Sequence, residues 1–113
     1  MKKQNSRHRK TILIDEKSIE VDKYIAPTIL TLNQKGYKTA FCCSGHVDID
    51  PCLERAYIVF EFGGITPESL PTGWVWVSND FMEYDYNEIT VEKINEVMLD
   101  LSEWANALPN TTI

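Results

Sequence analysis

The chain has 113 residues, of which 43% are hydrophobic and 25% are charged. These values are typical of a soluble globular protein with one modest core, and they argue against gross disorder. No run of about 18 apolar residues is present, so we expect no transmembrane helix and no membrane partner. No apolar signal-peptide core follows the basic N-terminus, so we expect a cytoplasmic protein.

Charge is distributed unevenly along the chain. The formal net charge is −6, and residues 1–10 contain five of the eleven basic residues and no acid. Removing those five positive charges leaves −11 on residues 11–113. Such an acidic body argues against extensive nucleic-acid binding, because that binding depends on neutralising phosphates. We predict a basic, flexible N-terminus at 1–10 and a single domain at 11–113.

The first predicted elements are a short strand at Thr11–Ile14, a turn, and a helix. Three apolar residues recur at the spacing i, i+4 and i+7, which is typical of one face of a helix. These residues are Ile25, Ile29 and Leu32. The helix is therefore predicted to run from about Ile19 or Asp22 to Lys35.

Two residues constrain this helix. Pro27 would clash with the carbonyl four residues earlier if it lay in the interior, so the helix either begins near Pro27 or bends there. Gly36 fits the left-handed position that follows a helix, and Tyr37 is then placed to pack on Leu32. We therefore predict a Schellman-type stop at Gly36.

A strand is predicted from Lys38 to Cys43. Its alternation places Thr39, Phe41 and Cys43 on one face, and Ala40, Cys42 and Ser44 on the other. Both faces are fairly apolar, which favours a central strand in which Phe41 and the two cysteines are buried. A polar loop follows from 45 to 54, and then comes the clearest strand in the chain, Arg55–Phe62.

The rest of the chain is predicted to contain a helical turn, a hairpin and a long helix. The helical turn covers Thr66–Leu70, and the hairpin pairs Gly73–Ser78 with Phe81–Tyr86. The long helix begins after Thr90, a good N-cap residue, and stops at Pro109. Because short connections favour antiparallel pairing, we predict one α+β domain with an about four-stranded, mainly antiparallel sheet and two helices packed on one face.

The loop Ser44-Gly45-His46 is the part of the chain that folding explains least. Its amides are expected to form a nest for a phosphate or carboxylate, with further hydrogen bonds from the hydroxyl of Ser44 and the ring of His46. Residues outside the loop are expected to complete the site. Lys38 or Arg55 would supply positive charge, and Trp74, Trp76 or Tyr84 would stack on a base. The predicted ligand-binding residues are Lys38, Cys43, Ser44, Gly45, His46, Arg55 and Trp76.

A metal site is the second interpretation of this loop. Cys43 and His46 have a Cys-x-x-His spacing, and Cys52 is a further candidate ligand for zinc. Other nearby residues able to complete a site are Cys42, Asp48 and Asp50. No second paired-ligand motif is present, and the other histidine, His8, lies in the basic terminus. We therefore predict no cofactor and keep zinc as the alternative.

Two further interpretations remain open. Cys43 with His46 as its base has the composition of a thiol–imidazole nucleophile, although the sequence identifies no third residue to orient the ring. A cysteine on a buried strand is more often a small apolar core residue. The hairpin that carries Trp74 and Trp76 is a candidate protein-interaction surface, with core packing as the default role of its tryptophans.

Four segments carry a resemblance to known proteins: Ile25–Pro27, Leu32–Thr39, Phe41–His46 and Ala56–Phe60. They resemble a family of small uncharacterised proteins of bacteria and their phages, which implies a shared fold and a shared site. A more distant similarity is to the wybutosine-synthesis tRNA methyltransferases of the third step, which carry a Ser-Cys-Ser-Gly-Arg run at the end of a strand. The outer residues of that run are replaced here by Cys42 and His46, so neither a tRNA substrate nor a methyl donor is carried over.

The leading hypothesis is a non-enzymatic domain that binds a small anionic molecule, such as a nucleotide-derived signal, at Cys43–His46. Sequestration of such a signal by a phage protein is a special case. The alternatives are a small metal-dependent or Cys/His enzyme, and an interaction module that uses the Trp74/Trp76 hairpin. A homo-oligomer is expected, because a small domain rich in aromatic strands often buries part of its surface in a symmetric contact.

Overall fold

The structure is a computed structural model that describes residues 9–14, 17–47 and 54–112. Its elements in chain order are β1 (Arg9–Ile14), β2 (Lys17–Asp22), α1 (Ala26–Gln34), β3 (Thr39–Cys43), β4 (Arg55–Phe60), β5 (Val75–Ser78), β6 (Phe81–Asp85) and α2 (Val91–Ala107). Neither of the two helices in these ranges has the length and apolar character needed to cross a membrane.

Four strands form an antiparallel sheet in the order β3-β4-β6-β5. Every second residue of the two central strands points to the core, where Ala56, Ile58 and Met82 are fully buried. Ile29 of α1 and Leu101 of α2 belong to the same core cluster. The predicted α+β domain, with a four-stranded antiparallel sheet and two helices, is therefore confirmed.

A two-stranded hairpin of β1 and β2 precedes the first helix. The predicted strand lies within β1, but the predicted helix start at Ile19 or Asp22 is wrong, because Lys17–Asp22 is β2. Polar and apolar residues alternate from Ser18 to Asp22, which is the period of a strand. β1 begins at Arg9, so the last two residues of the predicted flexible terminus belong to a strand. Residues 1–8 lie outside the described residues.

The first helix has the predicted boundaries at Pro27 and Gly36. It begins at Ala26, so Pro27 lies in the first turn, where its missing N–H costs nothing. Gly36 adopts φ +98°. The amide of Tyr37 donates to the carbonyl of Leu32 at 2.9 Å, and that of Gly36 donates to Asn33 at 3.1 Å. This pair of hydrogen bonds is the predicted Schellman stop.

Two predictions about local structure are wrong. β3 is an edge strand of the four-stranded sheet and not a central one, and Phe41 is 69% exposed. Cys42 packs against the core, whereas Cys43 lies on the other face of β3, beside Tyr57. Thr66–Leu70 forms no helical turn, since five residues hold too few hydrogen bonds to nucleate a helix.

The hairpin and the last helix are confirmed. β5 pairs antiparallel with β6, and the tryptophan on its core side, Trp76, packs against Phe60 with ring centroids 6.2 Å apart. α2 begins after Thr90, whose hydroxyl accepts a hydrogen bond from the amide of Lys93 at 3.0 Å. It ends before Pro109, as the proline predicts.

Candidate metal centre

The ends of two strands from different sheets meet beside the predicted loop. β2 ends at Asp22, β3 ends at Cys43, and the two strands lie in contact. The chain leaves β3 through Ser44 and turns at Gly45, which adopts φ +97°, a conformation that favours glycine. This turn brings His46 back toward Asp22.

Asp22 is the centre of the hydrogen bonds at this site. Its carboxylate is 8% exposed. The oxygen Oδ1 accepts the amide of Tyr24 at 3.1 Å, and Oδ2 accepts the hydroxyl of Ser44 at 2.6 Å and the amide of Ser44 at 3.4 Å. These donors fix the direction of the carboxylate and stabilise its charge in a buried position.

The carboxylate converges with a thiol and an imidazole. The Nε2 atom of His46 lies 3.6 Å from Oδ2 of Asp22. One ligand atom from each of Asp22, Cys43 and His46 lies within 4.8 Å of the other two. Two ligands of one tetrahedral zinc ion lie roughly 3.3 Å apart, and the 3.6 Å between His46 and Asp22 is close to that value.

This arrangement differs from a Cys-His-Asp catalytic triad. In a triad the thiol and the carboxylate bind opposite nitrogens of the imidazole, so the ring separates them. Here the thiol of Cys43 and the carboxylate of Asp22 approach each other within 4.8 Å. Cys43 is also only 7% exposed, which limits the access of a substrate to its sulfur. The geometry therefore favours a ligand role for the thiol.

Tyr86 holds the loop through a hydrogen bond to its backbone. Its hydroxyl donates to the carbonyl of Ser44 at 2.7 Å, and the bond is buried. Burial raises the pKa of Tyr86 far above its ordinary value of 10.0, with smaller contributions from Tyr84, Cys43 and Asp22. The phenol therefore stays protonated and keeps its donor at any physiological pH.

Two of the sequence-predicted site residues, Lys38 and Trp76, lie away from the loop, and a third, Arg55, pairs with a residue of β6. Lys38 precedes β3, so it lies five residues, or about 17 Å of extended chain, from Cys43. Arg55 opens β4, is exposed, and pairs with Glu83 at 3.7 Å. Trp76 lies on β5, which is three strand spacings or about 14 Å from β3. The structure thus brings together Cys43, Ser44, Gly45 and His46, whereas Lys38 and Trp76 lie apart from them.

A groove of about 330 Å³ lies at a different place. Leu13, Ile14 and Leu30 supply its apolar wall, and Asn33 and Lys38 lie at its polar side. The amide of Asn33 is already bonded to Ile29 and Thr39. No residue of the Asp22–Cys43–His46 cluster lines the groove, so we assign the chemistry to the cluster.

The other predicted metal ligands are not part of this cluster in the described residues. Cys52, Asp48 and Asp50 lie outside the described residues. Cys42 pairs with Ile58, whose side chain is fully buried in the core, whereas Cys43 pairs with Tyr57. The prediction that the two cysteines point to opposite sides of the strand agrees with this register.

Asp22 is the site residue that the sequence did not indicate. It lies 21 positions before Cys43, and its helix-start position resembles an ordinary N-cap. Only the contact between β2 and β3 brings it to the loop. A strand prediction for Lys17–Asp22 would have placed an acid at a strand end, which was the available signal.

No protein-family model, curated protein or solved structure is significantly similar to this chain. The resemblance of the Phe41–His46 run to phage and bacterial proteins, and to the tRNA methyltransferases, therefore stays a prediction. Three side chains with converging donor atoms, Asp22, Cys43 and His46, are the observation from which function is inferred.

Proposed function

We propose that this protein is a metal-binding domain that holds a zinc ion through Asp22, Cys43 and His46. The observation that carries the proposal is the convergence of a buried carboxylate and a buried thiol within 4.8 Å. Zinc binds a cysteine as its thiolate, and a thiolate beside a buried carboxylate is stable only with a cation between the two. A divalent ion would compensate both charges and use the imidazole as a third donor.

The mixed donor set supports zinc over the other common divalent ions. Calcium and magnesium select oxygen ligands, whereas Cys43 offers sulfur and His46 offers nitrogen. Zinc accepts sulfur, nitrogen and oxygen together in a tetrahedral site. The hydroxyl of Ser44, which donates to Asp22 at 2.6 Å, would orient the carboxylate toward the ion.

The three donors that the described residues supply would fill three of the four positions of a tetrahedral zinc ion, as in sites that keep the fourth position for another group. Sites of this kind bind water or an anion, and zinc makes such a water a nucleophile near neutral pH. The predicted anionic ligand fits this position better than an amide nest, because Asp22 already accepts the amide and the hydroxyl of Ser44. We therefore place the anionic ligand, or the substrate of a metal-dependent enzyme, at the open side of the ion.

The test is metal analysis of the full chain, purified without a polyhistidine tag. We expect one zinc per chain, or uptake of one cobalt with the absorption of a thiolate-bound tetrahedral ion. Cys43→Ala and Asp22→Asn each remove one donor, and each should weaken zinc binding by at least about tenfold.

Cys42→Ala is the matched control, since Cys42 is the neighbouring cysteine and faces the core side of β3. It should lower stability but leave the zinc stoichiometry at one. Absence of any zinc or cobalt binding by the folded wild-type chain would contradict the proposal. Equal loss of metal in the two cysteine variants, with both folded, would also contradict it.

A further inference from the structure

Arg55 shares one face of the sheet with the metal ligand Cys43. Cys43 pairs with Tyr57 across β3 and β4, so these two side chains lie on the same face. Arg55 precedes Tyr57 by two residues on β4 and therefore points to that face as well. The core lies on the opposite side, where Ala56 and Ile58 are fully buried. We call the side of Cys43, Tyr57 and Arg55 the open face.

Arg55 lies on the side of Cys43 toward which the loop continues. Because β3 and β4 are antiparallel, the residues that follow Cys43 run beside the residues that precede Tyr57. Cys43 and Arg55 are diagonal neighbours on one face, and the Cα atoms of such neighbours are about 7–8 Å apart. A long side chain spans this diagonal, so the guanidinium of Arg55 reaches the neighbourhood of the metal ligands.

Tyr86 joins the beginning of β4 to the same loop. Its backbone amide donates to the carbonyl of Glu54 at 3.0 Å, and its hydroxyl donates to the carbonyl of Ser44 at 2.7 Å. One residue therefore bridges the position before Arg55 and the position after Cys43. The placement of Arg55 beside the loop thus rests on hydrogen bonds as well as on strand pairing.

The charge of Arg55 is only weakly compensated. Its Nη1 atom lies 3.7 Å from Oε1 of Glu83, and its side chain is 57% exposed. An exposed ion pair at this distance contributes little to stability, so a better acceptor can replace Glu83. A guanidinium has its N–H donors in a planar fork that matches the two oxygens of a carboxylate or phosphate group.

The charges around the proposed ion favour a ligand with a single negative charge. A zinc ion together with the carboxylate of Asp22 and the thiolate of Cys43 is neutral as a group. Arg55 is the only basic residue of β3, β4, β5 and β6, and Glu83 and Asp85 beside it oppose a second negative charge on the ligand. A carboxylate carries one negative charge, whereas a phosphate group carries nearly two at neutral pH.

We propose that Arg55 recognises the ligand of the metal site, and that this ligand is a small carboxylate. One carboxylate oxygen takes the open position of the ion, and the other accepts hydrogen bonds from the guanidinium, which leaves Glu83. This inference rests on the proposed zinc site and extends it to a residue that does not bind the metal. Arg55 therefore determines the specificity of the site.

The test uses the full chain loaded with cobalt, because the absorption of cobalt reports which groups are bound to it. Sodium acetate is titrated at constant ionic strength, so that the screening of Arg55 does not change. We expect acetate to change the wild-type spectrum in a saturable way. Arg55→Gln should raise the dissociation constant of acetate at least about tenfold, because it removes the charged fork. The same variant should leave cobalt affinity unchanged.

Two further variants separate recognition from general electrostatics. Lys93→Gln is the matched control, because Lys93 also pairs with a glutamate at 3.7 Å, Glu96, but lies on α2. It should leave acetate affinity unchanged. Glu83→Gln removes the carboxylate that competes for the guanidinium and should tighten acetate binding about two- to fivefold. Circular dichroism of each variant checks that the fold is intact.

The possible failures of this proposal and of the zinc site are distinguishable. If neither zinc nor cobalt binds to the folded wild-type chain, the metal site is wrong and this inference falls with it. If metal binds but acetate leaves the spectrum unchanged, the metal site stands and the ligand proposal is overturned. Equal acetate affinity in the wild type and Arg55→Gln overturns the role of Arg55. Inorganic phosphate that binds as tightly as acetate overturns the preference for a carboxylate.

Discussion

Ser44 is a completely buried polar residue whose hydrogen bonds are all internal. Its hydroxyl donates to the carboxylate of Asp22 at 2.6 Å, a short bond to a charged acceptor. We expect Ser44→Ala to lower the free energy of unfolding by about 2 kcal/mol, because it leaves a buried carboxylate with one donor fewer. The same variant should weaken zinc binding about tenfold, since the carboxylate loses an orienting contact. Urea denaturation and zinc titration measure the two effects.

Ser78→Ala is the control for Ser44→Ala. Ser78 donates to the carboxylate of Asp80 at 3.1 Å, so the residue types match, but both groups are at the surface. We expect Ser78→Ala to lower the free energy of unfolding by less than about 0.5 kcal/mol and to leave zinc affinity unchanged, because water can replace an exposed hydrogen bond. If the two variants lose equal stability, the buried bond of Ser44 does not hold the site together.

Because of Tyr86, we expect the folded chain to lose stability in alkaline solution. Its pKa is raised in the folded state, mainly by burial, so the folded chain holds this proton more tightly than the unfolded chain. The contribution is full below the ordinary pKa of about 10 and falls as the pH rises above it. Tyr86→Phe should cost about 1 kcal/mol at neutral pH through the lost bond to Ser44, and should flatten the decline above pH about 10. Thermal melts from neutral to alkaline pH compare the two chains.

The sequence located most of the site at the level of residues. Cys43 and His46 were named as metal candidates from their spacing, and Gly45 takes the left-handed conformation expected of a glycine turn. The sequence did not indicate Asp22, because its partners are distant in sequence and a lone acid before a helix resembles an N-cap. Local patterns carry no information about which strand ends meet in space.

Gly36 lies at the junction of α1 with β3, so its substitution tests how tightly these elements are connected. It adopts φ +98°, and a Cβ there would collide with the hydroxyl of Thr111. Gly63 also has a positive φ, +80°, but no atom lies near its missing Cβ. Gly63→Ala should therefore lower the free energy of unfolding by only about 1 kcal/mol, the strain of a left-handed backbone conformation in alanine. Gly36→Ala should cost clearly more in chemical denaturation, because it adds a clash that moves the C-terminal segment, and equal costs would contradict this account.

Elements were predicted best where one strong signal marks each boundary. The Thr90 cap and Pro109 bound α2, and Gly36 ends α1. β2 was not predicted, because the helix was expected to begin at about Ile19 or Asp22, within the range of β2. Burial of Phe41 was mispredicted because an edge strand beside an open face is as apolar as a central strand. Hydrophobicity alone does not separate a covered sheet face from an exposed one.

At the scale of the whole molecule, the side chain of Lys35 links the ends of the two helices. The ammonium of Lys35, at the end of α1, donates to the last carbonyls of α2: Ala105 at 3.0 Å, Asn106 at 2.6 Å and Leu108 at 2.6 Å. The last turn of α2 contains no basic residue of its own. A cation from another helix therefore satisfies these carbonyls and the negative end of the helix dipole.

Lys35→Met should destabilise the whole domain, since methionine keeps most of the aliphatic stem and removes only the charged donor. We expect a loss of about 2 kcal/mol, measured by urea denaturation with an unchanged slope, because one partly exposed cation serves three acceptors. Lys93→Met removes the same charge from an exposed pair with Glu96 at 3.7 Å in the first turn of α2, where a cation is unfavourable. That control should change stability by less than about 0.5 kcal/mol. Equal losses in the two variants would mean that total charge, and not the contact between the helix ends, accounts for the effect.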